Sequence, residues 1–363
     1  MEIICNQNEL NNAIQLVGKA VASRPTHPIL ANILLTADQV TNKISLTGFD
    51  LNLGIQTSFD ATVKNSGAIT IPSKLLSEIV NKLPIETPVS LIVDENSDNI
   101  LIKSDRGSFN LKGIPSDDYP SLPFVESGTS LNIDPSSFLK ALKLTIFASS
   151  NDDSKQLLTG VNFTFKQKYL ESASTDGHRL SVVLIGNEEN INEKQTLSLD
   201  EDNLSVTIPT RSLREIEKLV SLRSNENSIK LFYDKGQLVF ISSNQIITTR
   251  TLEGDYPNYS QLIPDNFSKL FTFNTKELTD ALERIAVLAD QHNNVIKITT
   301  DTTANLIKIT TDAQDIGTGS ESLPASFNGE SFQIAFNVRY LLDGLKVLDS
   351  NLIKLSCNAP TTP

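Results

Sequence analysis

Cysteine, histidine and nucleotide-binding glycine patterns are all scarce in this chain, and each scarcity removes a class of function. Only Cys5 and Cys357 occur in 363 residues, with no Cys-x-x-Cys and no histidine at ligand spacing. Neither a disulfide framework nor a zinc site is supported, and both cysteines read as small buried hydrophobes. The histidines His27, His178 and His292 are scattered. No Gly-x-Gly-x-x-Gly occurs, and Gly18-Lys19 lacks the upstream glycine and the following Ser or Thr of a P-loop, so nucleotide chemistry is not expected. No run approaches the roughly 18 apolar residues of a membrane span. The start, Met1-Glu-Ile-Ile-Cys5, has no basic region leading into a long apolar core. A cytosolic, non-membrane protein is expected.

What is present is ordinary in amount and unusual in arrangement. Hydrophobic residues make up 39% and charged residues 20%, values typical of soluble globular proteins. The length exceeds what one core serves, so two or three domains are expected. A repeat selects three. Thr207-Ile-Pro-Thr-Arg-Ser-Leu-Arg-Glu-Ile-Glu-Lys-Leu-Val220 echoes Thr70-Ile-Pro-Ser-Lys-Leu-Leu-Ser-Glu-Ile-Val-Asn-Lys-Leu83, and again Ala335-Phe-Asn-Val-Arg-Tyr-Leu-Leu-Asp-Gly-Leu-Lys-Val-Leu348. The anchors Pro72, Pro209 and Asn337 lie 137 and 128 residues apart, a spacing of whole domains rather than of solenoid repeats. Apolar residues three and four apart, such as Leu76, Ile79, Val80 and Leu83, predict amphipathic helices with one buried face.

A second helix repeats as well. Leu10, Ala13 and Ile14 follow Asn6 or Asn8, Phe138, Ala141 and Leu142 follow Asp134-Pro135, and Leu278, Ala281 and Leu282 follow Asn274-Thr275. Asn and Asp are strong helix caps, and proline suits the first helical turn. Helical segments are therefore expected at 6–24, 72–83, 134–149, 209–223, 274–289 and 337–348. Alternating runs predict strands at 2–5, 33–37, 43–47, 51–59, 68–71, 89–93, 99–104, 107–113, 169–173 and 352–357. The fold class is α+β: three similar domains, each an antiparallel sheet with two helices on one face. Asp117-Asp-Tyr-Pro-Ser-Leu-Pro123 and Gly254-Asp-Tyr-Pro-Asn-Tyr-Ser-Gln-Leu-Ile-Pro264 read as linkers. They place the domains at 1–126, 127–264 and 265–363, the third of them shorter than the others.

The formal charge of −12 argues against an anionic partner until its placement is considered. Five of the six expected helical segments are net positive, so the rest of the chain carries more than the whole acidic excess. Local potential governs attraction, and such segregation suits helices that face phosphates while the outer surface is acidic.

One polar cluster invites a catalytic reading. In Thr175-Asp-Gly-His-Arg-Leu180, Asp176 and His178 could serve as orienter and base beside Ser181. No oxyanion hole or third partner is visible, and a turn held by Asp176 with Gly177 at unusual dihedrals is the simpler account.

Ser23-Arg-Pro-Thr-His-Pro-Ile-Leu-Ala-Asn32, Thr175-Asp-Gly-His-Arg-Leu180, the two Asp-Tyr-Pro stretches and Phe336-Asn-Val-Arg-Tyr340 together resemble the bacterial sliding clamps, the β subunits of DNA polymerase III. The resemblance spans the chain in order. It implies a non-catalytic protein without cofactor or metal, whose three-domain chains pair head to tail into a ring lined by helices. Duplex DNA passes through the ring without sequence recognition, so the ring confers processivity on the replicative polymerase. Matching positions imply DNA contacts at Arg24, Lys74, Lys155, Arg211 and Lys218. They imply homodimer contacts at Phe109 and Leu111 of one chain with Val287 and Leu288 of the other.

DNA polymerase III subunits, the clamp loader and other proteins with a clamp-binding motif are the implied partners. The implied peptide pocket lies between the second and third domains. It is formed by Leu158, Thr175, Gly177, His178, Arg179, Leu180, Pro257, Gln261, Leu262, Asn337 and Tyr340, with Thr361 and Pro363 at its far wall. This chain has Gln261 where relatives often carry a basic residue, and it lacks the family's final Met-Pro strand, so the end is expected either to be truncated or to have diverged. Two other readings stay open at this point: an adaptor that binds partner peptides without encircling DNA, and an intracellular hydrolase.

Overall fold

The computed structural model describes residues 1–94, 97–105, 107–125, 128–166, 169–186, 203–221, 229–289, 294–301, 304–313, 317–328 and 331–359. Three modules follow one another. The first runs β1 (Glu2–Asn6), α1 (Gln7–Val17), β2 (Asn32–Asp38), β3 (Lys43–Phe49), β4 (Leu53–Asp60), β5 (Thr62–Asn65), β6 (Gly67–Pro72), α2 (Ser73–Val80), β7 (Pro88–Val93), β8 (Asn99–Lys103) and β9 (Ser108–Lys112). The second follows this order, with one strand fewer between its helices among the described residues, in β10 (Thr129–Ile133), α3 (Pro135–Thr145), β11 (Gly160–Lys166), β12 (Leu170–Thr175), β13 (Leu180–Ile185), β14 (Asn203–Pro209), α4 (Thr210–Ser221), β15 (Ile229–Asp234), β16 (Gln237–Ser242) and β17 (Gln245–Arg250). The third has β18 (Lys269–Asn274), α5 (Thr275–Ala286), β19 (Val295–Asp301), β20 (Leu306–Ala313), β21 (Gly317–Pro324), β22 (Ser326–Asn328), β23 (Gln333–Asn337), α6 (Val338–Leu345) and β24 (Leu352–Cys357). The expected α+β class and its three-domain arrangement are observed.

The caps account for the repeated strand-to-helix entry. Asn6 accepts the Asn8 N–H at 2.8 Å, Asp134 accepts the Ser137 N–H at 2.8 Å, and Asn274 accepts the Glu277 N–H at 3.1 Å. Each satisfies one of the donors that a helix start leaves unpaired. Asn337 caps α6 in the same manner, through the Arg339 N–H at 3.0 Å.

By chain contacts the molecule forms two compact units. The first comprises Met1–Leu142, Ser154–Ser172 and Leu184–Gly254; the second comprises Lys143–Asp153, Ala173–Val183 and Asp255–Pro363. The first unit holds a sheet ordered β5-β1-β7-β8-β9 and an eight-stranded sheet ordered β10-β15-β16-β17-β4-β3-β2-β6. The second of these passes without a break from one module to the next, because β17 pairs antiparallel with β4 in register Ile247 to Ile55. A four-stranded sheet has the order β13-β12-β11-β14. The second unit holds sheets ordered β22-β18-β24 and β21-β20-β19-β23.

Helix packing follows the apolar spacing. α1 buries Leu10, Ala13, Ile14 and Val17, and α4 buries Leu213, Ile216, Leu219 and Val220. Each fully buried aliphatic side chain of this kind contributes roughly 1.5–3 kcal/mol. α1 is tied to α2 by the Gln7 amide donating to the Val80 carbonyl at 2.7 Å and the Gln15 amide donating to the Ser77 hydroxyl at 2.9 Å. The end of α1 rests so closely on β3 that a Cβ at Gly48 would meet the Val17 carbonyl oxygen at 2.2 Å. In the third module Phe271 stacks with Phe273 and with Phe332 at ring separations of 6.3 Å, inside a core completed by Leu278, Leu282 and Ile285.

Three expectations need correction. The helices are shorter than their periodicity suggested, so Lys19, Arg24 and Lys82 lie in flanking segments and the helices themselves are closer to neutral. The fourth strand starts at Leu53 rather than Leu51. Leu51 has φ +74 and the Asp50 carboxylate accepts the Asn52 and Leu53 N–H groups at 3.0 and 2.7 Å, which makes a turn there. The strand β5 was not expected from the sequence. Its residues Thr62–Asn65 pair with β1 through a register shift between Glu2 and Ile3.

Candidate functional site

The Thr175–Leu180 segment leaves β12 in a tight turn whose groups satisfy one another. Gly177 has φ +93, a conformation natural only to glycine, and its N–H donates to Thr175 Oγ1 at 3.0 Å. The Thr175 hydroxyl donates to the Arg179 carbonyl at 2.6 Å. Asp176 Oδ1 accepts the N–H groups of His178 and Arg179 at 2.9 and 3.1 Å, and its Oδ2 accepts Arg179 Nε at 3.1 Å. This carboxylate is therefore a turn-forming group. The Ser181 hydroxyl donates to the Leu144 carbonyl at 2.6 Å. The hydrolase reading loses both its orienter and its nucleophile to structural duties.

Arg179 organises the second unit around this turn. Its Nη1 lies 2.5 Å from Asp343 Oδ2 on α6, and its Nη2 donates to the Phe147 carbonyl at 2.7 Å. The guanidinium also sits over the Tyr340 ring at 4.7 Å and near the Phe147 ring at 5.5 Å. A planar cation with several donors suits such simultaneous stacking and forked bonding, where a lysine would not. His178 stacks on Tyr340 with ring centroids 6.2 Å apart and an interplanar angle of 20°. The helix cap at Asn337 fixes the α6 turn that carries Tyr340.

The stretch read as a linker is anchored here too. Tyr256 accepts the Thr175 N–H at 3.0 Å, and its ring meets Tyr259 edge-on at 6.4 Å. Burial pushes the Tyr256 hydroxyl up to about 12, with the Thr175 hydrogen bond opposing the shift. Beyond it, Pro257 and Gln261 are exposed, and Leu262 and Ile263 are 63% and 47% exposed, a high exposure for adjacent aliphatic side chains. Thus Thr175, Gly177, His178, Arg179, Tyr340 and Asn337 share one hydrogen-bonded and stacked assembly, to which Tyr256 ties the segment bearing Pro257, Gln261 and Leu262, while Leu180 follows the turn as the first residue of β13. Leu158 belongs to the other unit, half-buried in the short 3₁₀ turn Gln156–Thr159. Thr361 and Pro363 lie outside the described residues.

Sequence reasoning missed Asp343, Phe147 and Tyr256. The first two carry no motif, since only their distance from Arg179 gives them a role. Tyr256 had a signal, its repetition in the two Asp-Tyr-Pro stretches, but a polar, proline-bearing run looks the same whether it is loose or anchored.

The basic candidates fall in the first unit. Arg24 is exposed in the segment before β2, Lys74 is exposed in the first turn of α2, and Lys155 is exposed just before the Gln156–Thr159 turn. Lys218 projects from α4 and pairs with Glu215 at 3.0 Å. Arg211, at the start of α4, is engaged more firmly, through Asp50 at 2.6 Å and the Lys19 carbonyl at 3.1 Å. The interface candidates Phe109 and Val287 are 39% and 78% exposed, too open for core residues. Phe109 and Leu111 lie on β9, at one edge of its sheet, and Leu288 packs toward β21, at an edge of another, where a Cβ on Gly319 would lie 3.1 Å from Leu288 Cδ1. No group of His, Cys, Asp and Glu suited to a metal ion and no membrane-spanning helix occurs among the described residues.

Comparison with known proteins covers the chain from end to end. Residues 1–123, 132–258 and 260–363 match, in turn, the family models of the N-terminal, central and C-terminal domains of the DNA polymerase III beta subunit. The chain is 46% identical over 363 residues to the beta sliding clamp of Synechococcus elongatus, a match spanning 100% of this chain and 94% of that relative. It is 43% identical over 370 residues to the beta sliding clamp of a Synechocystis species, again over 100% and 94% of the two chains. The solved DNA polymerase sliding clamp of Bacillus subtilis superposes with a TM-score of 0.89 at 31% identity, over 100% of this chain and 94% of that one.

Proposed function

This chain belongs to the family of bacterial β sliding clamps, the non-catalytic processivity factors of DNA polymerase III, and from that premise we propose that two copies close head to tail around duplex DNA in the cytoplasm and carry partner proteins along it. The domains of that reading run 1–126, 127–264 and 265–363. A ring held by topology needs no tight bond to DNA, so weak and interchangeable phosphate contacts suffice and permit sliding. Arg24, Lys74, Lys155, Arg211 and Lys218 are assigned to those contacts. Their exposed side chains suit charge attraction better than base readout.

The single observation that carries the ring is the apolar side chains placed at two of the sheet edges. β9 ends one sheet of the first module and β21 ends one of the third, with apolar side chains Phe109, Leu111, Val287 and Leu288 beside them. Unpaired edges expose backbone donors and acceptors that favour pairing with another chain, and joining unlike ends of identical chains closes a ring if the rotation allows it. Polymerase subunits, the clamp loader and other motif-bearing proteins are assigned to the assembly around Arg179 and Tyr340, where the exposed Leu262 offers an apolar anchor.

The test is topological. Protein loaded on a nicked circular plasmid and passed through a sizing column at moderate salt is expected to stay with the circle and to leave once the plasmid is cut. Loss from both forms alike, or a single-chain particle in sedimentation, would favour an adaptor that binds partners without encircling DNA.

A further inference from the structure

We propose that Tyr256 is a positioning residue for partner peptides: its hydroxyl holds Thr175, and through Thr175 the whole 175–180 turn, in the shape to which an apolar-anchored peptide docks. The inference rests on the reading of that turn as a peptide site. Thr175 ends β12, and the chain turns there. Thr175 and Asp176 share the turn between them: the Thr175 hydroxyl accepts the Gly177 N–H and donates to the Arg179 carbonyl, while Asp176 accepts the His178 and Arg179 N–H groups. What fixes Thr175 itself is the Tyr256 hydroxyl, accepting its N–H at 3.0 Å from 81 residues away in the chain. That oxygen stays a neutral hydroxyl through the physiological range, because burial raises its ionisation to about 12.

The first module holds an internal control. Tyr119, the equivalent residue of the first Asp-Tyr-Pro stretch, is buried and donates to the Thr47 carbonyl at 3.2 Å. It braces β3, as a donor where Tyr256 is an acceptor, and is not among the residues assigned to the peptide site. The two tyrosines thus share a bracing role, and only Tyr256 has a docking turn attached to it.

The experiment compares Tyr256→Phe with Tyr119→Phe in the full chain, using a short fluorescein-labelled peptide that ends in two adjacent apolar side chains, read by anisotropy, with amide hydrogen exchange at Thr175. Tyr256→Phe is expected to weaken peptide binding about three- to tenfold, the net worth of one hydrogen bond, and to speed Thr175 exchange. Tyr119→Phe is expected to leave peptide affinity unchanged while lowering the melting temperature comparably. Wild-type binding that Tyr256→Phe does not weaken, or an equal loss in Tyr119→Phe, would overturn the positioning role. Wild-type protein that binds no such peptide would overturn the site reading beneath it.

Discussion

Arg211 Nη1 lies 2.6 Å from Asp50 Oδ2, and the two partners are unequally exposed, 58% for the arginine side chain and 8% for the aspartate. Asp50 is also the acceptor for the Asn52 and Leu53 N–H groups, so one nearly buried carboxylate closes the β3–β4 turn and holds the start of α4. The pair bridges the first and second modules beside the seam where β17 joins β4. Arg211 is thus a strut as well as a candidate phosphate contact. Replacing Asp50 by Ala removes the acceptor of the part-buried Leu53 N–H together with the Asn52 bond and the ion pair, at about 1–3 kcal/mol, whereas Arg211→Ala leaves the carboxylate with its two backbone donors. Thermal melts are expected to rank Asp50→Ala clearly below Arg211→Ala. Equal melting temperatures would remove the strut.

The strut changes how the DNA contacts should be tested. Reversing Arg211 would set a carboxylate against Asp50 and damage the fold, so a loss of DNA retention in that variant says little. Lys74 and Lys155 are exposed cations better suited to the purpose. Lys74→Ala and Lys155→Ala are each expected to reduce the slope of log K against log salt by about 1, the share of a single neutralised phosphate, without altering the melting temperature. An unchanged slope in both variants would remove them from the DNA-facing set.

Most of the fold was legible because its signals are local and occur three times. Asn6, Asp134 and Asn274 each announce a helix start through a side chain that reaches only two or three residues ahead, and the apolar spacing of α2 and α4 fixes which faces are buried. The residues of the 175–180 turn were legible for the same reason. What escaped depends on distant partners. Nothing near Asp343 or Phe147 predicts an arginine 164 or 32 residues away, and nothing near Asp50 predicts Arg211. The Leu51 turn was misread as strand because a leucine at positive φ is held there by Asp50, against its own preference.

Val287 and Leu288 are neighbouring interface candidates with different surroundings. Val287 is 78% exposed after α5, while Leu288 covers Gly319 of the edge strand β21. Val287→Glu is expected to shift sedimentation toward single chains with little change in the melting temperature, since it adds charge only to the interface. Leu288→Ala removes packing within the chain and is expected to lower the melting temperature as well. A fully paired Val287→Glu protein would place the interface elsewhere.

Cys5 lies buried on β1, and burial, with the nearby Glu9 charge, pushes its thiol up to about 12. Since the thiolate is the reacting species, the native protein should leave Cys5 unalkylated by iodoacetamide near pH 8, and denaturant should expose it at once. Rapid labelling in the folded state would show that β1 opens locally far more often than its central place in the β5-β1-β7 pairing implies.

Asp134 offers a pH-dependent test of the cap. Burial raises its affinity for a proton, but the Ser136 hydroxyl and the Ser137 N–H bond to the charged form and outweigh burial, leaving the carboxyl below its ordinary range. A carboxyl that is more acidic folded than unfolded stabilises the fold fully above its unfolded value of about 4, and that contribution fades as pH falls through the folded value. Asp134→Ala should therefore cost about 1 kcal/mol at neutral pH, the usual worth of such a cap. The melting curves of wild type and variant should draw together as the pH drops below about 4, because protonated Asp134 can no longer hold both donors. A constant gap across that range would mean that the α3 cap works without its charge, through geometry alone.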